Sequence, residues 1–236
     1  MPLERSRIID LRRKIRRART SVGPENAVGQ WIASFLDSGI KSMLNEIIPR
    51  FPDYNLNLPR GRRTWKLENI YGELRQIDHV ISDRAMNPIV IVEDKWLKDQ
   101  RHLKDKGSWI LSMHDVQKAH NSIRGIMAFL AGEWNDTTIE TLSNVAKIFH
   151  ICNANTLYDH LHEIGIDVEI DVERNAFQNP RGLLINILDI IEEALPDIDI
   201  ITETGIKMVQ HIQSNVEEAL RNILYPKEPE SSDEYE

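Results

Sequence analysis

The sequence predicts one α/β domain in which a small mixed sheet carries helices on both faces. Three observations predict it. Apolar residues change period along the chain, from helical spacing to extended runs of Ile and Val and back again. The resulting order is helices, a hairpin, helix, strand, helix, strand, helices. The chain has 236 residues, of which 41% are hydrophobic and 28% charged, enough to bury a sizeable interior without a disulfide or structural metal.

The elements follow in order. Residues 4–20 read as a basic helix, broken by Ser21-Val22-Gly23-Pro24. A second helix runs from about Glu25 to Ile48, with Val28, Trp31, Ile32, Phe35, Ile40, Met43, Leu44 and Ile47 as its apolar face; Gly29 and Gly39 weaken it or mark a bend. The polar, proline-rich stretch from Pro49 to Arg63 reads as a surface loop. Leu74 to Ser82 and Pro88 to Trp96 are strand-like, and DRAMN between them makes an antiparallel hairpin. A charged loop precedes a helix predicted over Met113 to Ala131. Ala146 to Cys152 reads as a buried strand, Thr156 to Ile164 as a helix, and Ile166 to Val172 as a strand alternating apolar and acidic residues. Leu183 to Leu195 and Gly205 to Leu224 close the chain as helices. There is no internal repeat. The expected organisation is a basic helix and linker over 1–24, a main domain over 25–225 and an acidic, disordered tail over 226–236.

Composition excludes several classes. The single cysteine, Cys152, rules out a disulfide framework or thiolate zinc cluster and fits a reducing cytoplasm. No apolar run approaches the ~20 residues of a membrane span, and no signal peptide is visible, so a cytoplasmic protein without a membrane partner is expected. No Gly-rich phosphate loop is present, so no nucleotide cofactor is expected. The net charge is −8, yet residues 1–20 carry a local +6, leaving −14 on the rest, with five acids against one lysine after Pro226. A basic arm on an acidic body is compatible with a polyanion partner; a solvated amphipathic helix with Ile8, Leu11 and Ile15 docked explains the arm equally.

The informative stretch is Gln76-Ile77-Asp78-His79-Val80 followed by Val92-Glu93-Asp94-Lys95-Trp96. Side chains alternate along a strand, so Glu93 and Lys95 share one face and Asp94 takes the other. Asp78 on the preceding strand can meet Glu93 across the ladder. Two carboxylates and an ammonium converging at the end of a greasy hairpin are unfavourable for stability alone. A divalent cation removes the conflict. Mg²⁺ takes hard oxygen ligands, commonly one or two carboxylates, and leaves positions for water and phosphate. A neighbouring lysine offsets charge developing on phosphorus. The alternative is a surface hairpin end with a solvated Glu–Lys pair.

Asp78, then Glu93-Asp94-Lys95 after a strand of Ile and Val, resembles the PD-(D/E)XK nuclease superfamily, which includes type II restriction endonucleases and archaeal Holliday-junction resolvases. The resemblance covers roughly residues 25–170. It implies a restriction-endonuclease-like αβββαβ core, here with extra N- and C-terminal helices. It also implies Asp78 and Glu93 as Mg²⁺ ligands and Lys95 as the catalytic lysine. The implied activity is Mg²⁺-dependent endonuclease cleavage of double-stranded DNA leaving 5′-phosphate ends, in the type II manner by a homodimer; a junction resolvase, a repair nuclease or a non-catalytic DNA-binding protein are the alternatives. Ile77 stands where the family name has proline. Many members add an upstream acid, for which Glu25 is the first candidate and Glu46 and Glu73 are rivals. The Gln-x-x-x-Tyr of the RecB-like branch is not matched, since Gln117 is followed by Asn121.

Two basic clusters are candidates for phosphate contact: Arg60, Arg62 and Arg63 before Trp65, and Lys98, Arg101 and Lys104, with His102 and Lys106, just after the Glu-x-Lys strand. The alternative for each is an exposed loop; the second cluster's place beside the expected phosphate site favours contact. The histidines show no zinc-binding spacing, and Cys152 reads as a small core hydrophobe.

Overall fold

The computed structural model of the chain describes residue 13, residues 23–57, 65–171, 173–174, 176–194 and 200–226. The basic arm, apart from an exposed helical Arg13, and nearly all of the acidic tail lie outside the described residues.

A five-stranded mixed sheet sits between two layers of helices. Helix α1 (Pro24–Ile47) starts with Pro24 in its first turn, where a missing N–H costs nothing. Strand β1 (Tyr54–Asn57) follows, then a separate hairpin of β2 (Trp65–Glu68) and β3 (Leu74–Ile77), then β4 (His79–Asp83) and β5 (Pro88–Leu97). Helix α2 (Leu103–Ala119) crosses over to β6 (Gly125–Gly132), and helix α3 (Asp136–Ser143) to β7 (Lys147–Cys152). The sheet order is β1-β4-β5-β6-β7, antiparallel from β1 to β5 and parallel from β5 to β7. After it come α4 (Ala154–His162), the two-residue strands β8 (Ile170–Asp171) and β9 (Ala176–Phe177), and helices α5 (Pro180–Glu193), α6 (Ile200–Val209) and α7 (Gln213–Leu224).

The central strands feed both layers by alternation. Val90, Val92, Met127, Phe129 and Ala131 pack toward α1 and the C-terminal helices, while Ile91, Leu97, Ile126, Ala128 and Leu130 pack toward α2 and α3. Burying one such Val, Ile or Phe is worth about 1.5–3 kcal/mol, so the same strands drive the packing of both layers. Gly39 is a crossing point and not a bend: a Cβ there would lie 2.0 Å from the Gly205 carbonyl oxygen, and α1 and α6 touch backbone to backbone.

Several sequence expectations are corrected. The stretch expected as one helix over Met113 to Ala131 divides: α2 ends at Ala119, His120 is extended, and Gly125–Gly132 is a strand at the middle of the sheet. Its run IMAFLA is apolar on both faces, and such a run carries neither period. The expected loop after Pro49 contains β1, which closes one edge of the sheet. Leu74 to Ser82 breaks at Asp78, its halves pairing in different sheets. Of the described residues in the expected strand Ile166 to Val172, only Ile170–Asp171 pair; Ile166 is buried while Asp167 and Glu169 face solvent, so the alternation over 166–169 reflects one-sided packing of an unpaired stretch. The last expected helix is two, joined by a 3₁₀ turn at Gln210–Ile212.

Candidate functional site

The break at Asp78 and the length of β5 create the site. In the β4–β5 ladder His79 pairs with Val92, which puts Asp78 one step further on, opposite Glu93. Glu93 and Lys95 point to the α2 side of the sheet, together with Ile91 and Leu97.

Three charged groups meet there. The Lys95 ammonium donates to Asp78 Oδ2 at 2.5 Å, to Glu93 Oε2 at 2.7 Å and to the Asp94 carbonyl at 2.9 Å. Glu93 is wholly buried and Lys95 is 12% exposed, whereas Asp78 is 27% exposed and forms the open side. Trp109 Nε1 on α2 donates to Glu93 Oε2 at 3.0 Å, and the Asp78 amide lies 3.4 Å from Oε1. The Asp94 amide in turn donates to Asp78 Oδ2 at 3.1 Å. Each carboxylate is therefore fixed by a backbone N–H as well as by the lysine.

The electrostatics follow from burial. Burial raises the Glu93 carboxyl to about 7; the Lys95 ammonium opposes the rise and the Asp78 charge adds to it. Asp78 is raised by burial too, but Lys95 outweighs that and holds it below the usual carboxylate value. Burial disfavours the Lys95 charge, yet Glu93, Asp78 and Asp94 together lift its pKa above that of an ordinary lysine. The trio is thus a buried cation held by acids, one of which retains a proton near neutrality. Hard oxygens short of positive charge fit a divalent cation, and the ammonium marks where it is needed.

The opposite face of the same hairpin carries a second cluster that the sequence reading passed over. His79 and Asp94 point toward α1, beside Ile81 and Val92. His79 Nε2 lies 3.2 Å from Asp37 Oδ1 and 3.7 Å from Asp94 Oδ1. Burial, with the Asp78 charge adding, raises Asp94 to about 7. Burial also opposes the charge on Asp37, but the adjacent His79 ring and the Lys41 ammonium prevail and bring it to about 2. The signal was present: His79 and Asp94 occupy inward positions where the alternation calls for apolar residues.

Other expected residues are placed elsewhere. Glu25 does not join Asp78 and Glu93. It lies on α1, over the far end of β5, where it accepts from Lys98 Nζ and from the Phe177 amide at 3.3 Å. Its rivals do not join either: Glu46 accepts from Gln213, and Glu73 from Arg75 and Asn69. Lys98, besides its pairing with Glu25, lies 4.8 Å from the centre of the Phe177 ring. Arg101 donates to both oxygens of Asp99, and Lys104 is exposed in the first turn of α2. Arg60, Arg62 and Arg63 lie outside the described residues. Gln117 donates to the Ile123 carbonyl and braces the loop before β6. The rim residue missed by sequence reading is Arg75, whose guanidinium lies 5.8 Å from the centre of the Trp109 ring; its place on a short hairpin outside the main sheet left no periodic signal.

Among the described residues no helix is long and apolar enough to cross a membrane. Comparison with known proteins returns no match to any family model, curated protein or solved structure.

Proposed function

We propose that the chain is a Mg²⁺-dependent endonuclease acting on double-stranded DNA, with Asp78, Glu93 and Lys95 as its working groups. One observation carries this reading: two carboxylates, one at the break before β4 and one on β5, are held against a single buried ammonium at the open end of an apolar hairpin. Such a group costs desolvation energy that a purely structural hairpin end has no reason to bear. The order of elements supports it as well. Helix α1, strands β1, β4 and β5, helix α2 and strand β6 follow in the αβββαβ sequence that the resemblance implies, with the β2–β3 hairpin inserted.

Asp78 and Glu93 would hold Mg²⁺, which supplies Lewis acidity toward the phosphodiester and acidifies water. Trp109 and the Asp78 amide fix the Glu93 carboxylate, so its oxygens need no reorganisation. Lys95 offers its ammonium to the charge that develops on the phosphoryl oxygens. In hydrolysis the water oxygen bonds to phosphorus, the P–O3′ bond breaks and the leaving oxygen takes a proton, giving a 5′-phosphate. Arg75, at the rim, suits a backbone phosphate. Sequence-specific cleavage by a two-fold dimer is the substrate mode we assign.

The test is incubation with phage genomic DNA with and without Mg²⁺, followed by mapping of the ends. Discrete bands bearing 5′-phosphates, absent without Mg²⁺ and absent with Asp78→Ala, are expected. Uncut DNA at every Mg²⁺ concentration, or cleavage by Asp78→Ala at the wild-type rate, overturns the reading; a smear without bands removes sequence specificity.

A further inference from the structure

We propose that Asp37, His79 and Asp94 bind one first-row transition-metal dication of the Zn²⁺ kind, on the face of the hairpin opposite Lys95. The inference stands apart from the nuclease reading and uses none of its three residues.

The imidazole of His79 is the first ground. Its side chain is 1% exposed, yet neither ring nitrogen has a hydrogen-bond partner. A buried polar atom left unsatisfied is destabilising, and His79 has two. Nε2 is directed at the carboxylates of Asp37 and Asp94, at 3.2 and 3.7 Å, without hydrogen-bond geometry to either. Two carboxylates directed at one ring nitrogen also repel each other. A dication between them turns every one of these contacts into an attraction.

The geometry and donor set are the second ground. One ligand atom from each residue lies within 4.8 Å of the other two. Ligands at about 2.0–2.2 Å from a metal stand roughly 3–4 Å apart, so closure by at most about 2 Å completes the set. Asp37 can supply that movement, because it is 34% exposed on α1 and its other oxygen pairs with Lys41, itself partly exposed, at 2.7 Å. The same exposure provides an entry path. One imidazole with two carboxylates suits Zn²⁺, Mn²⁺ or Fe²⁺, whereas Mg²⁺ favours an all-oxygen set with retained waters. A bound ion would tie α1 to β5. It would also act one residue from Asp78, since the Asp94 amide donates to Asp78 Oδ2.

The experiment uses the full chain stripped with chelator. Co²⁺ is titrated and followed by visible absorption, and Zn²⁺ by calorimetry. One equivalent should give a nitrogen–oxygen Co²⁺ spectrum, distinct from any all-oxygen binding at Asp78 and Glu93. Asp37→Asn and His79→Gln should each weaken binding by about tenfold or more, while Asp78→Asn leaves that spectrum in place. If His79→Gln does not fold by circular dichroism, Asp37→Asn decides alone, being partly exposed on a helix. Absence of binding to the wild-type chain, or an unchanged affinity and spectrum in Asp37→Asn, overturns the proposal. Loss of DNA cleavage has no bearing on either outcome.

Discussion

The two faces of β5 pose the same electrostatic problem and meet it differently. On the α2 side, Glu93 and Asp78 are compensated by a cation built into the chain, and Lys95 reaches both carboxylates within 2.7 Å. On the α1 side, Asp94 faces Asp37 and a histidine whose ring nitrogens have no hydrogen-bond partner among the described residues, and Lys41 pairs with the outer oxygen of Asp37. On one face every charged group is hydrogen-bonded by its neighbours, with one ammonium for two carboxylates, and the face opens to solvent through Asp78. The other is incomplete among its own side chains. A strand whose side chains alternate can therefore carry two charged clusters back to back, separated only by its backbone, and the completeness of each indicates what must come from outside.

The sharpest way to break that comparison is to remove the internal cation. Lys95→Ala should lower the rate of Mg²⁺-dependent DNA cleavage by roughly 10²–10³-fold, the usual consequence of deleting a preorganised charge-stabilising group. Cleavage of the same duplex at the wild-type rate would show that the lysine only balances its neighbours.

A second effect concerns stability against pH. Glu93 and Asp94 both have pKa values raised to about 7, from ordinary values of 4.5 and 3.8. Between the ordinary and raised values the unfolded chain has released protons that the folded chain still holds, so stability falls as pH rises through that window and levels off above about 7. Asp78 and Asp37, whose values are lowered, act in the opposite sense and only below the ordinary carboxylate value. The melting temperature of metal-free protein should thus decline from pH 5 to pH 7 and stay level to pH 8. Asp94→Asn should flatten part of that decline, with the larger gain at pH 8; a wild-type melting temperature that rises across this range would refute the burial account.

Much of this was legible in the sequence, and the limits have physical causes. The apolar face of α1 and the strand character of β5 follow from period alone, and so does the pairing of Glu93 with Lys95 on one face. β6 was not legible, because a strand buried on both sides loses the alternation that distinguishes it from a helix. Nor was the break at Asp78, since a change of sheet leaves no trace in hydrophobicity. Glu25 looked suitable as an upstream acid because it opens the right helix. That end of α1 reaches Lys98, however, and the acid that meets β5 beside the site is Asp37, twelve residues or about 18 Å along the helix axis. Where along a strand a helix crosses is set by packing, here by the contact of Gly39 with Gly205, which only the folded chain brings together.

The smallest expected effect tests how closed the satisfied face is. Trp109 Nε1 is the only indole partner of Glu93 among the described residues, but Glu93 also has Lys95 and the Asp78 amide. Trp109→Phe keeps most of the ring that packs beneath Arg75 and removes one hydrogen bond to a group that already carries a proton near neutrality. Loss of a bond whose acceptor keeps other partners should cost about 1–2 kcal/mol in denaturant unfolding. The cost should be greater at pH 8 than at pH 5, because the ionised carboxylate makes the stronger bond. A cost that does not change with pH would mean that Glu93 stays protonated throughout. With Glu93 neutral, Lys95 and Asp78 would balance each other alone, and the α2 face would carry no surplus negative charge for an external cation to meet.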